Sequence, residues 1–305
     1  MDSHLVGQAA ALATSCLWTF NSILFTEAGK KIGSVSVNAY RIATAVALLC
    51  TAHLALLGNL LPAATTTQWL WVAASGIVGL GIGDFGLFAA FVLFGTRRSL
   101  LVMALSPVFA SIAAFVLLGE TFSPLGAMGV ATTLIGVVWV ILEREQEAVQ
   151  RPLSGRSRSW GVFLALIGAL GQGLGLACAK KGIYSENGLV LHPLSATLIR
   201  MVFGALFVWA AILATGRMGD LRRALSDKQG IRYTVAGAFL GPFLGVTFSM
   251  VAVTYTQTGI AQTLMSLMPV LIIPLVWALY RQKTSLRGIA GAVVAVIGVA
   301  MLWLT

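Results

Sequence analysis

The chain has 305 residues, of which 58% are hydrophobic and 10% charged, whereas a soluble domain is about a quarter charged. Twenty Lys and Arg against ten Asp and Glu leave a formal charge of +10. These figures exclude a soluble enzyme, a disordered chain and a disulfide-stapled secreted domain, and they leave an all-α polytopic membrane protein.

A helix crossing the hydrocarbon core needs about 20 mostly apolar residues. Ten such runs are predicted, at 5–26, 34–57, 68–93, 98–118, 124–142, 160–181, 192–215, 232–255, 260–280 and 287–304. Met1-Asp2-Ser3-His4 carries no basic residue, so the first run is expected to be a retained helix and not a cleaved signal. It holds Trp18 and Asn21 at depth and ends near Glu27, an interfacial position. The second run carries Arg41, about 10 Å of helix rise from its start. The third carries Asp84, about 14 Å from its end, so the two lie at similar depths on one side. Ionisable groups at such depth are expensive, which makes both functional candidates. They fit an ion pair that fixes helix two on helix three, or a group used in substrate binding or proton coupling.

The third run also holds Gly76, Gly79, Gly81, Gly83 and Gly86, with Phe85 and Phe88. Its Gly81-Ile-Gly83-Asp-Phe-Gly86 matches a dinucleotide fingerprint in letters only, since no strand precedes it. The glycines are read as sites of close helix approach. The fourth run has Met103 and Pro107, and it ends before Glu120, read as tying the turn into the fifth run. The sixth has Gly171-Gln172-Gly173-Leu174-Gly175, and the seventh has Arg200. The eighth ends in Thr254 and Tyr255, and the ninth holds Gln262, Met265, Ser266, Pro269 and Pro274. Proline inside a span removes a backbone donor and bends the helix. Pro107 and Pro269 are therefore hinge candidates, with a rigid kink as the alternative. Cys16, Cys50 and Cys178 all fall within runs and are read as small buried hydrophobes. His4, His53 and His192 are far apart, so neither a metal site nor a cofactor is expected.

A shift of 162 residues aligns Trp71–Leu142 with Tyr233–Leu304 without gaps. The matches include Gly79/Gly241, Gly83/Gly245, Met103/Met265, Pro107/Pro269, Ser123/Ser285, Gly126/Gly288, Gly129/Gly291 and Gly136/Gly298. Ser36 and Arg41 match Ser195 and Arg200 at a shift of 159, and a shift of 154 sets Gln172 opposite Trp18. Each copy holds five helices. Five is odd, so the second copy enters the membrane from the opposite side. The predicted architecture is ten transmembrane helices in two inverted five-helix repeats. The first is 1–148 and the second 160–305, joined by a polar connector at 149–159.

Leu105-Ser-Pro-Val-Phe109, Leu117-Leu-Gly-Glu-Thr121, Gly126 and Gly136 resemble the signature of EamA-type proteins of the drug/metabolite transporter superfamily. The second copy departs from it, with Arg281-Gln282 where the first has Gly119-Glu120. The resemblance implies ten helices and export or uptake of small metabolites, amino acids or drugs.

Positive residues favour cytoplasmic loops. Sixteen of the twenty Lys and Arg fall in odd-numbered connections, and the even ones hold only Lys180 and Lys181. This bias predicts a multi-pass protein of the plasma (inner) membrane with both termini outside the cytoplasm. It also removes the nucleic-acid reading, since the basic residues orient the chain and form no binding face.

The expected substrate cavity lies among helices one, three, four, six, eight and nine. Its candidates are Asp84, Arg41, Arg200, Trp18, Asn21, Gln172, Phe88, Met103, Tyr255, Gln262 and Ser266, with Phe85, Thr254 and Met265 as further wall positions. Arg41 and Arg200 suit either backbone carbonyls or an anionic group. The chain reads as a secondary transporter, more readily an exporter, of small organic metabolites by alternating access, and as a monomer or homodimer surrounded by lipid. No H-E-x-x-H, no paired carboxylate motif of prenyl-group chemistry and no P-loop is present, so no enzyme is expected. A non-transporting sensor or scaffold and a channel are the alternatives.

Overall fold

The computed structural model describes residues 3–94, 96–143, 155–184, 188–280 and 285–304. Most of the connector at 149–159 and the pair Arg281-Gln282 lie outside the described residues. Among the described residues, ten helices are long and apolar enough to span a bilayer. Helix one is Ser3–Ile32, two Ser34–Leu57, three Thr66–Ala90, four Ser99–Leu118 and five Pro124–Leu142. Helix six is Ser159–Ile183, seven Pro193–Ala214, eight Lys228–Tyr255, nine Thr258–Leu275 and ten Leu286–Trp303. The polar stretch after helix seven folds into a short helix, Met218–Ala224, which apolar run length could not show.

Local chemistry sets the ends. Thr65 and Gln68 form a reciprocal capping box at the start of helix three. Ser123 accepts the Gly126 N–H at 3.0 Å, and Ser285 accepts the Gly288 N–H at 3.0 Å. The matched pair Ser123/Ser285 thus supplies equivalent N-caps to helices five and ten. Gly119 closes helix four with φ 68°, a left-handed conformation that glycine takes without strain.

Helices five and ten form an extensive contact through matched glycines. A Cβ at Gly136 would strike the Ala295 backbone nitrogen and come within 2.7 Å of the Gly291 carbonyl. A Cβ at Gly129 would lie 3.2 Å from the Gly298 carbonyl, and one at Gly298 would strike Thr133. Gly136 therefore meets Gly291, the copy of Gly129, while Gly129 meets Gly298, the copy of Gly136. The seam is antiparallel and self-complementary, the form inverted repeats require. Packing this close is the main source of helix affinity in lipid. Gly136→Ala is expected to cost about 1–3 kcal/mol by overpacking, read as a lower melting temperature in detergent. Gly29→Ala, whose Cβ meets open space, is the control that leaves it unchanged or higher.

Helices four and nine are each broken at the same repeat position. The breaks fall at Ala104-Leu105 and Ser266-Leu267, just before Pro107 and Pro269. Proline lacks the N–H that would continue the ladder, which explains both. Helices three and eight each contain a wider π-helical stretch, Gly76–Gly83 and Phe239–Gly245, again at matched positions.

Candidate functional site

Helix three reaches its neighbours through the π stretch. The Asp84 N–H bonds back to the Gly79 carbonyl, five residues earlier. On the same face, Gly83 meets Gly171 of helix six, and Gly79 meets Gly175. A Cβ at Gly171 would come within 2.6 Å of the Gly83 Cα, so the two helices touch backbone to backbone. In the second repeat a Cβ at Gly241 would strike the Asn21 amide, and one at Gly245 would lie 2.6 Å from the Trp18 Nε1. Each π stretch therefore receives the first helix of the opposite repeat: three receives six, and eight receives one. Such π turns recur at functional sites because they widen the helix and redirect side chains.

Asp84 follows this stretch directly. It is 6% exposed. Its Oδ2 accepts from the Arg41 Nη2 at 2.6 Å and its Oδ1 from the Gln172 amide at 2.8 Å. Gln172 also reaches the Gly79 carbonyl at 3.5 Å. Arg41 donates through Nε to the Asn38 Oδ1 at 2.8 Å. Its guanidinium lies over the rings of Phe25 at 5.7 Å and Phe88 at 5.2 Å. The ion pair predicted between helices two and three is present, and Gln172 ties it to the second repeat. Two aromatic faces and a carboxylate together compensate a guanidinium at depth.

Arg200 differs from its counterpart. It is 3% exposed, and its Nε has no hydrogen-bond partner. Its Nη2 lies toward Gly79, where a Cβ would approach it to 2.8 Å. Asp84 is near enough to act on it electrostatically.

The other candidates fall into separate places. Trp18, Asn21, Gln172, Phe88 and Met103 are half-buried. Met103 sits against Gly168 of helix six. Gln262 donates to the Ser106 hydroxyl at 2.9 Å, and Ser266 donates back to the Gln262 carbonyl at 2.8 Å, so these form a second polar point at the two helix breaks. Thr254 and Met265 are buried. Phe85 is 60% exposed and shares a face with Ile82, while Gly83 and Gly86 occupy the face turned to helix six. Tyr255, 43% exposed, stands at the end of helix eight, away from Asp84.

That far end holds a network the sequence did not reveal. Glu120, expected to tie its own turn, instead crosses to the second repeat. Its carboxylate pairs with Lys180 at 2.7 Å and accepts the Thr258 N–H at 2.7 Å and the Thr258 hydroxyl at 3.2 Å. It thus caps helix nine, where the helix dipole favours an anion. Lys180 also donates to the Thr256 carbonyl at 2.6 Å, and Lys181 to the Leu117 carbonyl at 2.9 Å, with its ammonium 5.3 Å from the Trp71 ring. Gln257 donates to the Thr121 carbonyl at 3.0 Å, and Tyr184 donates to the Thr254 carbonyl. Burial pushes the Tyr184 phenol above its ordinary value, with Tyr255 and Glu120 adding to the shift. The ends of helices three, four, six, eight and nine are bound together here. No group of metal-ligating side chains occurs among the described residues.

The sequence model of the EamA-like transporter family matches residues 5–142 and again 159–304. No curated protein matches the chain. A solved structure described only as a crystal structure of a protein aligns with a TM-score of 0.74 at 19% identity, covering 99% of this chain and 96% of that one. At that identity the likeness concerns the fold.

Proposed function

The chain belongs to the EamA-like transporter family, and on that premise we propose that it is a secondary transporter of small organic metabolites, such as amino acids or drug-like compounds, working by alternating access. In this reading it exports across the plasma (inner) membrane, and the halves 1–148 and 160–305 rock against each other. The observation that carries the reading is the pairing of two polar centres that each join the repeats. Asp84, Arg41 and Gln172 meet at depth near one end, while Glu120, Lys180 and Thr258 bind the other end shut. A polar site at depth with the far end held closed is what this reading expects of one of the two states of alternating access.

In this reading the far end lies outside, which the charge bias supports. Lys180 and Lys181 are the exceptions to that bias, and both have their ammonium groups tied to carbonyls, one also to Glu120. A reporter fused to the C-terminus and active only in the cytoplasm is expected to stay dark, and a bright one would reverse the orientation. Counterflow in proteoliposomes tests the activity. Saturable exchange of a preloaded compound is expected, while unsaturable flux would mean a channel and no flux a sensor or scaffold.

A further inference from the structure

Away from the span ends, the charged side chains at membrane depth are Arg41, Asp84 and Arg200. Two cations face one anion. Both Asp84 oxygens are already used, Oδ2 by Arg41 and Oδ1 by Gln172. The spans of the second repeat offer no further acid at membrane depth, since Val246 stands where Asp84 stands in the first. Arg200 takes part in none of the ion pairs among the described residues. A buried charge with no direct ion-pair partner is a costly arrangement, more so at membrane depth.

The free edge of Arg200 has a particular shape. Its Nε has no hydrogen-bond partner, and the neighbouring Nη2 packs against Gly79, where a Cβ would come within 2.8 Å of it. Nε and Nη2 together form one edge of the guanidinium fork, and a carboxylate binds such an edge with two parallel N–H···O bonds.

We infer that Arg200 is the docking group for the carboxylate of the transported molecule. The site therefore selects organic monoanions, or zwitterions held by their carboxylate, over neutral and cationic analogues. Arg41, held by Asp84 and Asn38, is the structural member of the pair of arginines, and Arg200 is the specificity-determining one. This assignment rests on the transporter reading for its site, and binding and flux test the two separately.

The test uses the purified full chain in detergent and follows thermal unfolding with acetate, alanine, phenylacetate, phenylacetamide and inorganic phosphate as probes. Binding to the folded state raises the melting temperature with concentration. At least one carboxylate is expected to stabilise the protein, with phenylacetate acting at about tenfold or more lower concentration than its amide, since hydrogen bonds to a charged group exceed neutral ones by that margin. Arg200→Gln is expected to abolish the difference, and Arg200→Lys, which keeps the charge and loses the fork, to retain part of it. The comparison of acid with amide on the unaltered chain stands even if both variants fail to fold. Equal action of acid and amide, no stabilisation by any carboxylate, or stronger action of phosphate would overturn the assignment. Counterflow of the same probes separates the two readings. A carboxylate preference in binding with no saturable exchange sinks transport and keeps the docking role. Saturable exchange without that preference does the reverse.

Discussion

Replacing Asp84 with Asn is expected to abolish transport while the protein still reaches the membrane. The carboxylate is nearly buried and holds two helices of one repeat and one of the other through Arg41 and Gln172. Asn keeps the shape and one acceptor but removes the charge. Arg41 is then left as a mostly buried cation with Asn38 and two aromatic rings, and breaking a fully buried pair costs about 3–5 kcal/mol, the upper bound here. Loss of stability and loss of function must be told apart, and a double-mutant cycle does so. Asp84→Asn with Arg41→Gln removes both charges together, which restores much of the melting temperature because no ion is stranded. If the pair serves only to join helices, the double variant also regains counterflow. If the Asp84 charge takes part in the transport cycle, stability returns and flux does not, which is the expected outcome. Wild-type flux in the single variant, at normal expression, would remove Asp84 from the site.

Glu120→Gln is expected to open the far end. The acid holds Lys180, the Thr258 N–H and the Thr258 hydroxyl at once, and the pair with Lys180 is mostly buried. Glutamine cannot neutralise Lys180 and is a weaker partner for the helix dipole. Losing about 1.4–2.7 kcal/mol from a closed state raises the open population about 10- to 100-fold. Cys178 supplies the readout. It is buried, two residues before Lys180. In a chain with Cys16 and Cys50 replaced by Ala, a membrane-impermeant maleimide added outside intact cells is expected to label Cys178 slowly. In the Glu120→Gln chain it is expected to label faster by that same factor. Unchanged labelling would mean that Glu120 only caps helix nine and does not hold the end closed.

The ten spans were legible because their cause is local: run length against bilayer thickness, interrupted by charges and turn residues. The helix breaks at Pro107 and Pro269 were legible for the same reason, since proline acts on its own ladder. The Arg41–Asp84 pair followed from matching two depths. The role of Gln172 did not, because it depends on helix six touching helix three at Gly83–Gly171. The π stretches left no distinctive letters. They shift the register through backbone bonding alone, and the glycines within them fit ordinary close packing equally well. Glu120 was misread because its partners lie 60 and 138 residues away along the chain. An acid in a short turn looks local until the second repeat folds against it.

The seam of helices five and ten bears on how such a chain originates. Gly129 and Gly136 face the copies of one another across an antiparallel contact. A lone five-helix ancestor with these residues would find its complement only in an upside-down twin, so it would have to insert into the membrane both ways. Duplication and fusion remove that requirement. An odd helix count flips the second copy automatically, and one set of loop charges then orients both.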